Sequence, residues 1–143
     1  MKIRSWMKAP AVLIIGAGLT FVMPAAAAVG ASSPPSTAVH ITASKVSLLA
    51  GGLAIQVPIR YVCPAGASPQ LSVRVSAVSH RAIITAFAGF QGKTCTGTVQ
   101  HVSAILAVQG ERFKPGPALG EASLFECSFF CNSTTDAKAL TLT

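Results

Sequence analysis

Between Leu53 and Cys63 the chain alternates: Ile55, Val57, Ile59, Tyr61 and Cys63 share one parity, and Gln56, Pro58 and Arg60 share the other. Successive side chains of a β-strand point to opposite faces, so this stretch predicts one strand with an apolar inner face and a wetter outer face. Pro58 removes a ladder donor, which predicts an edge position or a bulge at that point. The strand delivers Cys63 to the inner face, and Pro64-Ala65-Gly66 turns the chain.

The same pattern recurs on both sides. Upstream, Val39, Ile41 and Ala43 face in while His40 and Thr42 face out, and Val46-Ser47-Leu48 continues that first strand after a kink. Ala50-Gly51-Gly52 turns into the second. Residues 71–77 form the cleanest alternation in the chain and the third strand. Residues 83–90 are apolar at both parities, which predicts a fourth strand but leaves its facing open. The fifth, over 99–108, turns Val102, Ala104, Leu106 and Val108 inward; the sixth, over 118–125, does so with Ala118, Gly120, Ala122 and Leu124. Residues 127–135 are expected as a constrained turn, and 137–143 as a last strand with Leu140 and Leu142 inward. Glycine and proline mark loops over 64–69, 91–97 and 109–117.

Residues 1–28 have the marks of a targeting segment. Lys2, Arg4 and Lys8 precede a nearly unbroken apolar run over 9–23, Pro24 ends it, and Ala25-Ala26-Ala27-Ala28 offers a signal peptidase its small residues. Cleavage near Ala28 is expected, leaving a soluble extracellular chain of about 115 residues without a stable membrane anchor. Residues 29–37, with Ser32-Ser33-Pro34-Pro35-Ser36, are expected as a disordered leader, and 38–143 as one domain. Past the signal, eight bases stand against four acids and form neither a run nor a stripe. That excludes nucleic acid as the expected partner.

Cys63, Cys95, Cys127 and Cys131 are an even set in an exported chain, which reads as two disulfides. Zinc is not expected: no C-x-x-C occurs, and no histidine lies near Cys127 and Cys131. Seven short strands with turn signals between them predict an all-β, immunoglobulin-like sandwich, with a small barrel as the alternative. In that sandwich the second and fifth strands are antiparallel neighbours, as are the sixth and seventh. Cys63 then lies beside Cys95, and Cys127 and Cys131 straddle one turn. The topology therefore predicts Cys63–Cys95 and Cys127–Cys131.

Catalysis needs a constellation of groups, and the sequence offers none. The acids occupy only the last third of the chain, with Glu121 and Glu126 expected in solvent. His40 and His101 fall on outer faces and His80 in a turn, with no orienting partner in the pattern. No serine sits in G-x-S-x-G, and the cysteines are committed to disulfides. No catalytic residue, metal or cofactor is expected.

Val62-Cys63-Pro64-Ala65-Gly66, Cys95-Thr96-Gly97 and Phe113-Lys114-Pro115-Gly116-Pro117-Ala118 resemble stretches of small secreted domains of actinobacteria. In outline the chain is similar to the enediyne-binding apoproteins of the neocarzinostatin type: a signal peptide, a mature chain near this size, a seven-stranded immunoglobulin-like sandwich and two disulfides. It departs from them in the wide spacing of Cys63 and Cys95, and no ligand residue carries over. Secreted subtilisin inhibitors share its size and disulfide count, but no reactive-site segment is evident. The function expected is a secreted, non-catalytic binding or surface-interaction module, with a small-molecule carrier and then a protease inhibitor as alternatives. Its partner is an unidentified protein, surface or small apolar ligand. Two adjacent aromatics in the ring Cys127-Ser128-Phe129-Phe130-Cys131 cannot easily both turn inward, so Phe129 and Phe130 are the candidate contact residues.

Overall fold

The computed structural model describes residues 36–80 and 82–143, so residues 1–28 and most of the expected leader lie outside the described part. The described chain is built from eight strands and no α-helix: β1 (Ala38–Ile41), β2 (Lys45–Leu49), β3 (Ala54–Val62), β4 (Gln70–Ser79), β5 (Ala82–Gln91), β6 (Gln100–Ala107), β7 (Gly116–Cys127) and β8 (Cys131–Leu142). β1 and β2 are the two halves of the kinked first strand. The sequence pattern therefore resolves into an immunoglobulin-like sandwich whose first strand is split.

The split has a structural cause. β1 pairs antiparallel with β3 through Ala38↔Val62 to Ile41↔Ile59, whereas β2 pairs with it through Ser47↔Gln56 to Leu49↔Ala54. Beyond its pairing with β3, β2 also runs parallel to β8, through Lys45↔Thr141 and Val46↔Leu142. The strand thus crosses from one layer to the other. One layer is β1-β3-β6; the other is β2-β8-β7-β4-β5, and β2 joins them. β5 pairs with β4, not with β6.

Pro58 is neither on an edge strand nor in a bulge. β3 pairs with β6 continuously from Ala54↔Ala107 to Tyr61↔Gln100, Pro58 included, and with β1 and β2 on its other side. The irregularity lies in the neighbour. Pro58 O accepts from Thr42 N at 3.0 Å, at the break between β1 and β2. In an antiparallel ladder the N and O of one residue point to the same side. The missing N–H therefore falls where no strand stands to receive it.

The inward residues form one core. Val39, Ile41, Ile55, Val57, Ile59, Tyr61, Cys63, Leu71, Val73, Val75, Ala104, Leu106, Ala122, Leu124, Leu140 and Leu142 are all buried, and Ala43, Val102, Val108 and Ala118 pack against them. This is the parity read from the sequence. β5 faces in with Ile84 and Ala86, and its other parity is apolar yet exposed. The last hairpin departs most from expectation. β7 and β8 pair without interruption from Gly116↔Leu142 to Cys127↔Cys131, so residues 131–136 are strand and only 128–130 turn.

Turn geometry at the opposite end is set by Ala50–Gly52. Gly52 is buried with φ +90°, its O accepts from Phe113 N at 2.9 Å, and a Cβ there would run into the Phe113 carbonyl. Gly66, with φ +86°, faces open space. Gly66→Ala is therefore expected to cost only the left-handed conformation, about 1–2 kcal/mol. Gly52→Ala must also displace backbone and is expected to cost about 3 kcal/mol or more. Urea unfolding of the two variants should rank them in that order.

Candidate functional site

Three loops meet at one pole of the sandwich: residues 63–69, 92–99 and 128–130. The registers bring them together, since Tyr61↔Gln100, Gln70↔Gln91 and Gln70↔Phe125 lie near the strand ends. Both disulfides are here. Cys63–Cys95 has a Cα–Cα distance of 5.5 Å and Cys127–Cys131 one of 4.0 Å, the pairing that the topology predicts. Cys63 and Cys95 are buried.

Backbone hydrogen bonds stitch the first two loops together around the Cys63–Cys95 bridge. Gly66 N donates to Cys95 O at 2.8 Å, Cys95 N to Ala67 O at 2.9 Å, and Gly92 N to Pro69 O at 2.9 Å. Tyr61 Oη donates to Lys93 O at 3.3 Å from below. Covalent and hydrogen-bonded restraint on both loops makes this pole a firm base.

On that base stands the β7–β8 turn. Cys127 and Cys131 are register partners, Ser128 N donates to Phe130 O at 3.1 Å, and the disulfide closes the ring. Inside so small a ring neither aromatic reaches the core. Phe129 is 98% exposed and Phe130 81%. The two rings share a recess of about 770 Å³ with Ser36, Thr37, Pro64, Ser128, Asn132 and Ser133. Of the two disulfide-linked loops at this pole, only residues 63–69 reach the recess, through Pro64. Residues 91–97 do not line it, and the start of β1 and of β8 take their place.

Beneath the recess lies an acid in a place that the hydrophobic pattern does not predict. Glu126 is expected in solvent, but it is fully buried, at 0% exposure. Its Oε1 accepts from Thr37 Oγ1 at 3.0 Å and from Asn132 Nδ2 at 2.8 Å. Its Oε2 is buried and takes no hydrogen bond from the described residues. One carboxylate thereby ties the residue before β1 to β8 and sets the two walls of the recess. The signal was present in the sequence: Glu126 shares parity with Ala122 and Leu124, and the strand simply runs on to it. Glu121, by contrast, is exposed as expected.

Among the described residues no charged side chain lines the recess. Its surface offers two aromatic rings, hydroxyls and one amide, a set that can bury apolar surface and orient it. Elsewhere, His40 Nδ1 lies 3.9 Å from Asp136 Oδ2, beyond hydrogen-bond reach, and that oxygen already accepts from Ile41 N at 2.9 Å. Among the described residues no three histidine, cysteine or acidic side chains cluster as metal ligands. A second, open recess of about 460 Å³ lies on the outer face of the five-stranded layer. Ser72, Gly89 and Ser123 floor it, and Phe87 and Phe125 flank it.

No protein-family model matches the chain, and no curated protein matches it in sequence. Among solved structures it is similar to the crystal structure of Spo0M, a sporulation control protein from Bacillus subtilis, at 10% identity and a TM-score of 0.30. The match covers 74% of this chain and 48% of that one, so it spans about half of that protein's length. A likeness this loose adds nothing to the fold or to the site.

The two bridges differ in what they restrain. A chain-entropy estimate gives about 3.7 kcal/mol for the loop closed by Cys63–Cys95 and about 2 kcal/mol for the short ring. Replacing Cys63 and Cys95 together by alanine should therefore lower unfolding free energy more than replacing Cys127 and Cys131 together. The second double variant should stay folded at 25 °C, with circular dichroism and urea midpoints as the readout.

Proposed function

We propose that the protein is a secreted, non-catalytic binding module that docks onto an apolar feature of a partner protein through Phe129 and Phe130. The carrying observation is the exposure of both rings on a turn closed by a disulfide. Burying a phenylalanine side chain contributes about 1.5–3 kcal/mol, and the fold leaves this gain unused twice in succession. An aromatic on a stiff turn loses little freedom when it is covered, which makes it a good anchor. The uncharged rim favours an apolar partner surface over a polyanion or a membrane headgroup.

The test separates docking from stability. Phe129 and Phe130 belong to no core cluster, so Phe129→Ser and Phe130→Ser should leave unfolding free energy within about 0.5 kcal/mol of the parent. Capture of partners from the source organism's culture should fall at least about tenfold for one or both. Capture that survives both changes, or a large loss of stability, argues against the proposal.

Export belongs to the same reading. The charged start, apolar run and alanine tract of residues 1–28 support it, and disulfides persist in oxidising compartments. Intact mass of the product in culture supernatant should correspond to a chain beginning near Val29. A membrane-bound product that keeps residues 1–28 would contradict this.

A small-molecule carrier is the second reading, favoured by the recess between Phe87 and Phe125 and by the outline resemblance to neocarzinostatin-type apoproteins. A carrier purified from its source should bring with it a bound chromophore or apolar compound. An absorbance spectrum free of bands beyond those of tyrosine and phenylalanine counts against that reading.

A further inference from the structure

β5 ends the five-stranded layer, and β4 is its only ladder partner among the described strands. β6 of the other layer approaches it without pairing. In an antiparallel ladder alternate residues turn both backbone groups to the same side. Half of the N–H and C=O groups of this ten-residue strand therefore face away from β4, with no strand to receive them.

Free edges are normally guarded by charge, proline, a bulge or a covering group. β1 shows how this chain guards one. Ile41 N donates to Asp136 Oδ2 at 2.9 Å, and Lys138 Nζ donates to Ile41 O at 3.2 Å, so two β8 side chains occupy the edge groups of β1. Among the described residues β5 has no such guard. Residues 82–91 contain no charged residue and no proline. The ladder from Gln70↔Gln91 to Ser79↔Ala82 is unbroken, so no bulge twists the edge away. Ile84 and Ala86 are buried, which holds the strand in place. On the outer face Ile83 is 75% exposed and Phe87 58%, beside exposed Val78 of β4 and Leu119 of β7. Apolar side chains therefore continue the open edge onto the sheet surface.

We infer that β5 is a self-association edge, and that a second copy of this chain pairs with it antiparallel about a two-fold axis at Thr85. The strand is self-complementary in that register. Ile83 stands opposite Phe87 of the second copy twice, Thr85 opposite Thr85, and Ile84 opposite Ala86 twice. Aromatic–β-branched and Thr–Thr pairs are among the favourable cross-strand combinations. No like charges meet within the paired strands, because the strand has none. The pairing is isologous, so it uses up each copy's edge and closes at two. The two five-stranded layers become one ten-stranded sheet. This surface is separate from the Phe129–Phe130 turn, and the inference does not rest on the function proposed for that turn.

Sedimentation of the product secreted from the full gene should show a monomer–dimer equilibrium across about three decades of concentration. Thr85→Lys places two ammonium groups face to face at the axis and should weaken the dimer by about tenfold or more. Ser103→Lys, on the exposed face of β6, adds the same charge away from the axis and should leave the equilibrium unchanged. Far-ultraviolet dichroism and thermal unfolding verify that both variants fold. A parent that stays monomeric throughout overturns the inference. So does a dimer that persists in Thr85→Lys or is lost equally in Ser103→Lys.

Discussion

Ile55, Val57, Ile59 and Tyr61 of β3 share one core with Leu71, Val73 and Val75 of β4 and with Ala122 and Leu124 of β7. Neither layer is self-sufficient: three strands with one bare apolar face stand in water only when that face is covered. Every other placement follows from this closure. β3 pairs on both sides, so its register fixes β1, β2 and β6 at once. The next inward residue after β3 is Cys63, which ties the layer to the loop before β6. β2 then leaves β3 for β8 and connects the layers through the backbone as well as through the core.

Where the layers stop overlapping, the inner face changes chemistry. Leu140 and Leu142 at the end of β8 are buried, but the preceding residues of that parity are Asn132, Thr134, Asp136 and Lys138. Asp136 and Lys138 face the edge of β1, not the core, and supply the acceptor and donor that its backbone lacks. Asn132 instead meets Glu126. Asn132 is exposed and Asp136 and Lys138 half-buried, and each of these three has a hydrogen-bond partner that a hydrophobic residue could not serve.

The same reasoning explains what the sequence disclosed and what it did not. Stretches whose inner parity is apolar throughout, such as β3, residues 71–77 of β4 and residues 118–124 of β7, are legible from alternation alone, and the disulfide pairing follows from their order. The first half of β8 was hidden because its inward positions are polar, so periodicity in hydrophobicity had nothing to register. Glu126 is hidden with it, because the apolar alternation of β7 ends at Leu124. Pro58 misled in the other direction. A missing donor is tolerated wherever no strand lies opposite, at an edge or at a break in the neighbour, and the sequence does not say that β1 breaks at Thr42. The turn aromatics were legible because a five-residue ring has no room to bury two of them. Their surroundings were not, since Thr37 and Asn132 come to the recess through a buried carboxylate.

The unresolved parity of β5 carried more meaning than its ambiguity suggested. A strand that is apolar on both faces usually lies between two layers, yet this one has a single covered face. Its second apolar face is therefore surplus to the monomer, as the two aromatics of the β7–β8 turn are. These surpluses lie in different directions: one along the side of the five-stranded layer, the other at the disulfide-bonded pole. An antiparallel two-fold through β5 sends the two poles to opposite ends of the pair. Two copies joined in this way present their Phe129–Phe130 turns facing apart, a geometry that cannot grip one small partner from both sides but can bridge two. The side edge and the pole thus make different demands on the chain. The edge needs an uncharged, unbroken strand, and the pole needs a turn too small to hide its side chains.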